Sequence, residues 1–159
     1  MISLRITKTK DFMQKLLSSD AFDSFLLEEA TILTYNTFSI DGHIQKDFYA
    51  GEDAEIPALG YGFSLWKDMK SVCFQIIKGK HTPLSFRIVL RLMPQYAEKV
   101  LNSQGTSLLL NIRYDGSTVT LITGTSCQTF QLTKEPEQLW DKTIRSFLAK
   151  KEIAYEEGG

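Results

Sequence analysis

The chain holds little of what most often carries chemistry. Its 159 residues include two cysteines, Cys73 and Cys127, two histidines, His43 and His81, and four prolines. With so few candidate ligands, and none clustered, no metal site is expected. Cys73 falls on the apolar side of a predicted helix and Cys127 at the start of a predicted strand, which suits two buried thiols in a reducing compartment. The sequence leaves a disulfide between them open. No apolar run approaches the roughly 20 residues that a membrane span requires. The opening MISLRITKTKDF is broken by polar and charged residues, unlike a signal peptide. A cytoplasmic protein without a membrane partner is therefore expected. The net charge of −1 excludes a wholly basic nucleic-acid binder but leaves room for a local basic patch.

Catalytic signatures are missing too. There is no Walker loop, and Gly60-Tyr61-Gly62 lacks the third glycine and the preceding strand of a dinucleotide fingerprint. His43 lies beside a predicted turn and His81 just before Pro83. A general base needs an orienting partner, and the sequence offers neither histidine one, so both read as solvent-exposed turn residues. Cys73, at an apolar helical position, has its thiol pKa raised and is inert. In Glu28-Glu29 and Glu52-Asp53, neighbours on a strand point to opposite faces, which suits solvated charges better than an acid/base pair. No catalytic residue, metal ligand or cofactor is assigned. The chain reads as a non-enzyme, with the enzyme question left open.

What is present is the patterning of an ordinary soluble domain, 43% hydrophobic and 23% charged, long enough for one domain over residues 1–159. Ile2, Leu4 and Ile6 alternate with Ser3 and Arg5 as in a half-buried strand. Thr9 is placed to cap a helix carrying the stripe Phe12, Met13, Leu16 and Leu17. Residues Phe25 to Ile40 are rich in strand formers. Asp41-Gly42 then predicts a hairpin, because a type I′ turn needs positive φ at both central residues, with His43 to Tyr49 as the return strand. The segment Ala50–Gly62, with three acidic residues, a proline and three glycines, is the longest candidate loop. Ser64 is placed to cap a helix with Leu65, Met69, Val72 and Ile76 on its buried side, widened by Trp66, Cys73 and Ile77, and Gly79 to end it.

The second half repeats the theme. Phe86, Ile88, Leu90 and Leu92 alternate with Arg87, Val89 and Arg91. Pro94 opens a helix carrying Tyr96, Ala97, Val100 and Leu101. Strands are expected at Leu108 to Tyr114, Ser117 to Thr123 and Cys127 to Leu132, with a hairpin at Asp115-Gly116. Pro136 opens a last helix with Trp140, Ile144, Phe147 and Leu148 buried, and Glu156 to Gly159 read as a frayed tail.

Three features recur in the same order. Leu4-Arg5-Ile6 is matched by Leu90-Arg91-Leu92, and the Phe12/Leu16 stripe by the Tyr96/Val100 stripe. Asp41-Gly42 precedes Leu65-Trp66 by 24 positions, as Asp115-Gly116 precedes Leu139-Trp140. The expected fold class is α+β, with internally duplicated β-α-β-β-(β)-α units at about 1–80 and 84–152. These would form a largely antiparallel sheet with helices on one face. On these features the chain resembles a small bacterial family of unknown function from Firmicutes, a resemblance that implies no activity. Over roughly the first 90 residues, ISLRI, FSIDGHI and GYGFSLWKDM also resemble duplicated clamp-like or TATA-binding-protein-like folds, which implies DNA handling. The helix at Pro94 to Leu101 is an addition to the clamp pattern.

Charge is unevenly spread. Residues 1–62 hold 5 basic and 10 acidic residues, a net of −5, and residues 63–134 hold 9 basic and 3 acidic, a net of +6. Arg5, Arg87, Arg91 and Arg113 all take outward positions on strands whose alternate residues are apolar. In one sheet they would form an arginine row able to grip phosphates or carboxylates in bidentate fashion. Open sheet faces also carry long charged side chains simply to stay soluble. Equally, the acidic half can neutralise the basic half within the fold or across a dimer. The leading expectation is a non-enzymatic binding or interaction module, meeting a protein partner or a second copy through the sheet face and the Ala50–Gly62 loop. One alternative is nucleic-acid binding through the arginine-lined face. Another is an enzyme acting on a small anionic substrate held by those arginines.

Overall fold

The period-2 alternation of the long strands sorts their side chains onto two faces, and the whole architecture follows from that sorting. The computed structural model describes residues 1–50, 56–127 and 133–158. Its strands are β1 (Ser3–Ile6), β2 (Phe25–Leu33), β3 (Thr37–Asp41), β4 (Ser64–Leu65), β5 (Ser85–Leu92), β6 (Thr106–Tyr114), β7 (Val119–Cys127) and β8 (Tyr155–Glu157). Its α-helices are α1 (Thr9–Ser18), α2 (Pro57–Tyr61), α3 (Trp66–Ile77), α4 (Pro94–Leu101) and α5 (Glu135–Lys150). The strands form one antiparallel sheet in the order β3-β2-β5-β6-β7-β1-β8. Short β4 continues along β2 beyond the end of β3.

One face of the sheet is apolar. Leu4, Ile32, Ile88, Leu90, Leu108, Leu110, Ile112 and Leu121 are fully buried there, under Phe12, Leu16, Trp66, Cys73, Trp140, Ile144 and Leu148 of α1, α3 and α5. Phe22 meets Phe25 at 5.9 Å and Phe147 at 5.2 Å between ring centroids, filling the space under the helices. The expected α+β class, an antiparallel sheet with helices over one face, is the one observed.

The buried tryptophans also close polar accounts. The last-turn carbonyls of a helix have no partner within it. In α1, Leu16 O accepts from Trp66 Nε1–H at 3.0 Å and Lys15 O from Ser19 Oγ at 2.6 Å. Lys70 of α3 then donates to Ser19 O at 2.8 Å and pairs with Asp23 at 2.9 Å. Trp140 Nε1–H donates to Leu109 O at 2.8 Å, tying α5 to β6. Buried Asp141 accepts from Thr123 Oγ1 at 2.6 Å and, at 3.2 Å, from the Met1 ammonium.

Several expectations are corrected. Asp41-Gly42 is not a hairpin turn: β2 and β3 turn at Thr34-Tyr35-Asn36, and Gly42 continues from β3 with its φ outside the positive region. Glycine is needed there because a Cβ would lie 1.9 Å from the Leu27 carbonyl oxygen, beside the bulge that shifts β2 between Leu27 and Glu29. The expected return strand is instead a single bridge from His43 to Phe63 and a 3-10 turn at Lys46–Tyr49. Asp115-Gly116 does turn, but within a four-residue loop between Tyr114 and Val119, with Gly116 at φ 104°. Strand β7 runs on to Cys127, which ends a strand and is exposed, and the expected strand beyond it lies at residues outside those described. Helix α3 starts at Trp66 rather than after a Ser64 cap, and its Val72 faces solvent. The tail is not frayed at Glu156: β8 pairs with β1.

The order β5-α4-β6-β7-α5 runs without interruption, whereas in the first half a 3-10 turn, α2 and β4 fall between β3 and α3, and the pairings differ too. Strand β5 pairs with β2 and β6, whereas β1 pairs with β7 and β8 and not with β2. Trp66 is the first residue of α3, while Trp140 sits well inside α5.

Candidate functional site

The other face of the sheet carries the polar half of each strand. Register sets its rows. Thr31, Arg87, Arg113, Thr120 and Arg5 stand side by side on β2, β5, β6, β7 and β1, and Glu156 follows on β8. The next row runs Glu29, Val89, Asn111, Ile122 and Ser3. Beyond it come Leu26, Arg91, Leu109 and Gly124. All four arginines singled out from the sequence therefore share one face, three of them in a single row. Half-buried Leu33, Leu109 and Ile122 lie among them, while Val89 is buried and Leu26 is fully buried in a small second cluster with Leu65, Met93, Phe63 and Tyr61 of α2.

Their partners divide them. Arg5 forms an ion pair with Glu156. Arg87 pairs with Glu29 at 2.5 Å and donates to Asn111 Oδ1 at 3.3 Å. Arg91 reaches Glu28 Oε2 with Nε and one terminal nitrogen, both at 3.3 Å, and donates to Ser107 Oγ at 2.7 Å. Its guanidinium also lies 4.5 Å from the Phe63 ring centroid. Arg113 is exposed and has no carboxylate partner among the described residues. The carboxylate two residues on, Asp115, is already engaged: its Oδ1 accepts from Thr118 N–H at 2.8 Å, Ser117 N–H at 2.9 Å and Ser117 Oγ at 3.1 Å. Those backbone donors hold the Asp115 carboxyl below its usual range.

Glu28, Glu29 and Asp23 neutralise Arg91, Arg87 and Lys70, so the acidic first half does compensate the basic second half within the fold. Arg87 and Arg113 line one depression, of about 670 Å³, together with Thr31, Ser85, Thr118 and Thr120. Among the described residues, aromatic side chains do not stand free beside it. Phe86 and Tyr114 stack on each other at 5.2 Å, and Phe63 is taken by Arg91 on one contact and His43, at 4.5 Å, on another.

Sequence reasoning missed one pair. His43 Nδ1 lies 2.7 Å from Asp41 Oδ1, and the hydrogen bond from the His43 backbone N–H, together with this side-chain contact, lowers the Asp41 pKa. Two residues apart on extended backbone share a face, so Asp-x-His was the legible signal. Both side chains are more than half exposed, and among the described residues no serine, cysteine or threonine is bonded to the imidazole. His81 lies elsewhere, lining a hollow between α1 and the end of α3 with Met13, Leu17, Phe74 and Ile77. Cys73 and Cys127 are both free thiols, and burial pushes Cys73 up to about 11. No group of three or more His, Cys, Asp or Glu able to hold a metal occurs among the described residues. Of the Ala50–Gly62 segment, Pro57–Tyr61 forms α2, while residues 51–55, including the Glu52-Asp53 pair, lie outside the described ones.

Fold and face together define an α+β protein with one helix-covered and one open sheet face. No helix among the described residues is long and apolar enough to cross a membrane. Residues 15–156 match a family of unknown function (DUF5721), and the chain belongs to that family. Neither a curated protein nor a solved structure matches it.

Proposed function

We propose that this chain is a non-catalytic interaction module that meets a protein partner through its open sheet face. The observation that carries the reading is the make-up of that face. Outside its Leu26 corner, where Leu65, Phe63 and Tyr61 of α2 pack, it lacks a covering helix layer among the described residues, it exposes part of Leu33, Leu109 and Ile122, and it sets arginines among them. Protein interfaces combine apolar contact with arginine in this way. Nucleic acid fits the same face less well. Phosphate binding needs uncompensated positive charge, and three of the four arginines already hold carboxylates. Single-stranded bases also need aromatic platforms, and among the described residues none stands free beside the row. The element order, shared apart from the insertion before α3, supports two pseudo-repeats, about 1–80 and 84–152, with the face lying across both.

The test is a photo-crosslinking residue placed at Asn111 on the open face or at Lys142 on exposed α5, in cells that make the protein. A discrete protein adduct from Asn111 alone is expected, and a dimer band would identify the partner as a second copy. Equal adducts from both positions, or none from Asn111, would contradict the reading. Salt-sensitive binding of labelled DNA or RNA in an anisotropy titration, lost with Arg87→Ala, would replace it with the nucleic-acid alternative.

A further inference from the structure

Two cations stand directly opposite each other in the middle of the open face. Arg87 on β5 is the register partner of Arg113 on β6. Directly opposed residues on an antiparallel pair have Cβ atoms about 4.5–5.5 Å apart, and like charges there repel. At Arg87 the repulsion is offset by Glu29 on β2. At Arg113 nothing among the described residues offsets it. Its lateral neighbours are Arg87 and Thr120, and its neighbours along the strand are Asn111, which accepts from Arg87, and Asp115, whose Oδ1 is held by its own turn and which makes no ion pair with Arg113. The other two arginines differ: Arg5 holds Glu156, and Arg91 is clamped between Glu28, Ser107 and Phe63.

The surroundings of this pair can take an anion. Thr31, Ser85, Thr118 and Thr120 line the same depression, so hydroxyl donors flank two guanidinium groups, and among the described residues the one carboxylate lining it, Asp115, has its Oδ1 held by Ser117 and Thr118. A planar guanidinium presents parallel N–H donors that match the two oxygens of a carboxylate or a phosphoryl group. An oxyanion seated between the two side chains would turn their repulsion into attraction. Water already satisfies exposed Arg113, so the gain is modest and belongs to recognition rather than folding.

We infer that Arg113 and Arg87 form an oxyanion subsite, in which the protein partner of the open face inserts a carboxylate or phosphoryl side chain. The inference rests on the sheet-face reading above and adds the chemistry that the partner must present. Arg113 supplies the free fork, Arg87 the second positive charge, and the threonine and serine hydroxyls the lateral donors. Glu29 keeps Arg87 oriented while leaving Arg113 for the incoming group.

The experiment follows the Nε–H resonances of the arginines by NMR in the full chain. Three probes are titrated: inorganic phosphate, a short glutamate-rich peptide, and the same peptide with phosphoserine in place of one glutamate. Saturable shifts are expected at Arg113 and Arg87, with Arg5 and Arg91 little moved, and at least about tenfold weaker binding in Arg113→Gln, where the bidentate charged fork is lost. Tighter binding of the phosphoserine peptide would identify the group as phosphoryl, and equal binding as carboxylate. Shifts that never saturate, or that move all four arginines alike, would overturn the subsite, as would binding unchanged in Arg113→Gln. Circular dichroism and the urea midpoint of Arg113→Gln show whether the variant is folded, and Arg113→Lys keeps the charge while removing the fork. Adducts from Asn111 that persist while the titrations fail would overturn the subsite and leave the sheet-face reading standing. Saturable binding at Arg113 without any Asn111 adduct would do the reverse.

Discussion

Four arginines that look alike in the sequence have three different jobs in the structure. The outward phase of Arg5, Arg87, Arg91 and Arg113 was legible, because alternation with buried Leu4, Ile88, Leu90 and Ile112 fixes which way each side chain points. Their partners were not, since Glu28, Glu29 and Glu156 reach them only through strand pairing across long sequence separations. The division predicts opposite stability effects. Arg91→Ala removes the Phe63 contact and leaves half-buried Glu28 unpaired, so it should cost about 1–2 kcal/mol in urea unfolding. Arg113→Ala should change stability by less than about 0.5 kcal/mol, or raise it by relieving the repulsion from Arg87. Asp115 gives a pH test at the same scale. Its folded pKa is lowered by the Thr118 and Ser117 donors, so its contribution is present above the ordinary carboxylate pKa and is lost as pH falls through the lower folded value. The urea midpoint of Asp115→Ala should therefore lie below that of the parent at pH 7, and the gap should close as the pH is taken down below the ordinary carboxylate range. A gap that stays constant with pH would mean that the carboxylate is not the cap.

At the scale of elements, the helices and long strands were readable where one periodicity held over many residues. α1 and α5 carry their apolar stripes as expected, α4 does so at Ala97, Val100 and Leu101 but turns Tyr96 to solvent, and β5 and β6 lie where alternation placed them. The errors cluster where glycine has more than one use. Asp-Gly signals a turn because glycine reaches positive φ, and Gly116 does so at 104°. Gly42 is there for the other reason: it passes so close to the Leu27 carbonyl that no side chain fits. Nothing in the local sequence separates the two uses, because the contact belongs to β2, more than ten residues earlier. Gly42→Ala should accordingly displace the end of β3 from the bulge and cost on the order of 3 kcal/mol in urea unfolding. A loss below about 1 kcal/mol would show that the backbone gives way easily there. The misjudged tail has a similar origin: Tyr155–Glu157 is too short to read as a strand, and pairing with β1 makes it one.

For the whole molecule, the sequence conveyed the class of fold but not the course of the sheet. Alternation says that strands are half-buried, whereas their order depends on which edges meet. The placement of β1 between β7 and β8 has no local signal. It is also what brings Arg5 into line with Arg87 and Arg113 and makes the open face continuous. That continuous face is the proposed contact surface. Hydroxyl-radical footprinting tests it most directly, comparing the purified chain with the same chain in extract from cells that make it. Protection of Leu109 and Ile122 on the open face, with Val72 on exposed α3 unchanged, is the expected pattern. Protection of Val72 with Leu109 and Ile122 unchanged would place the contact on the helix side and contradict the account.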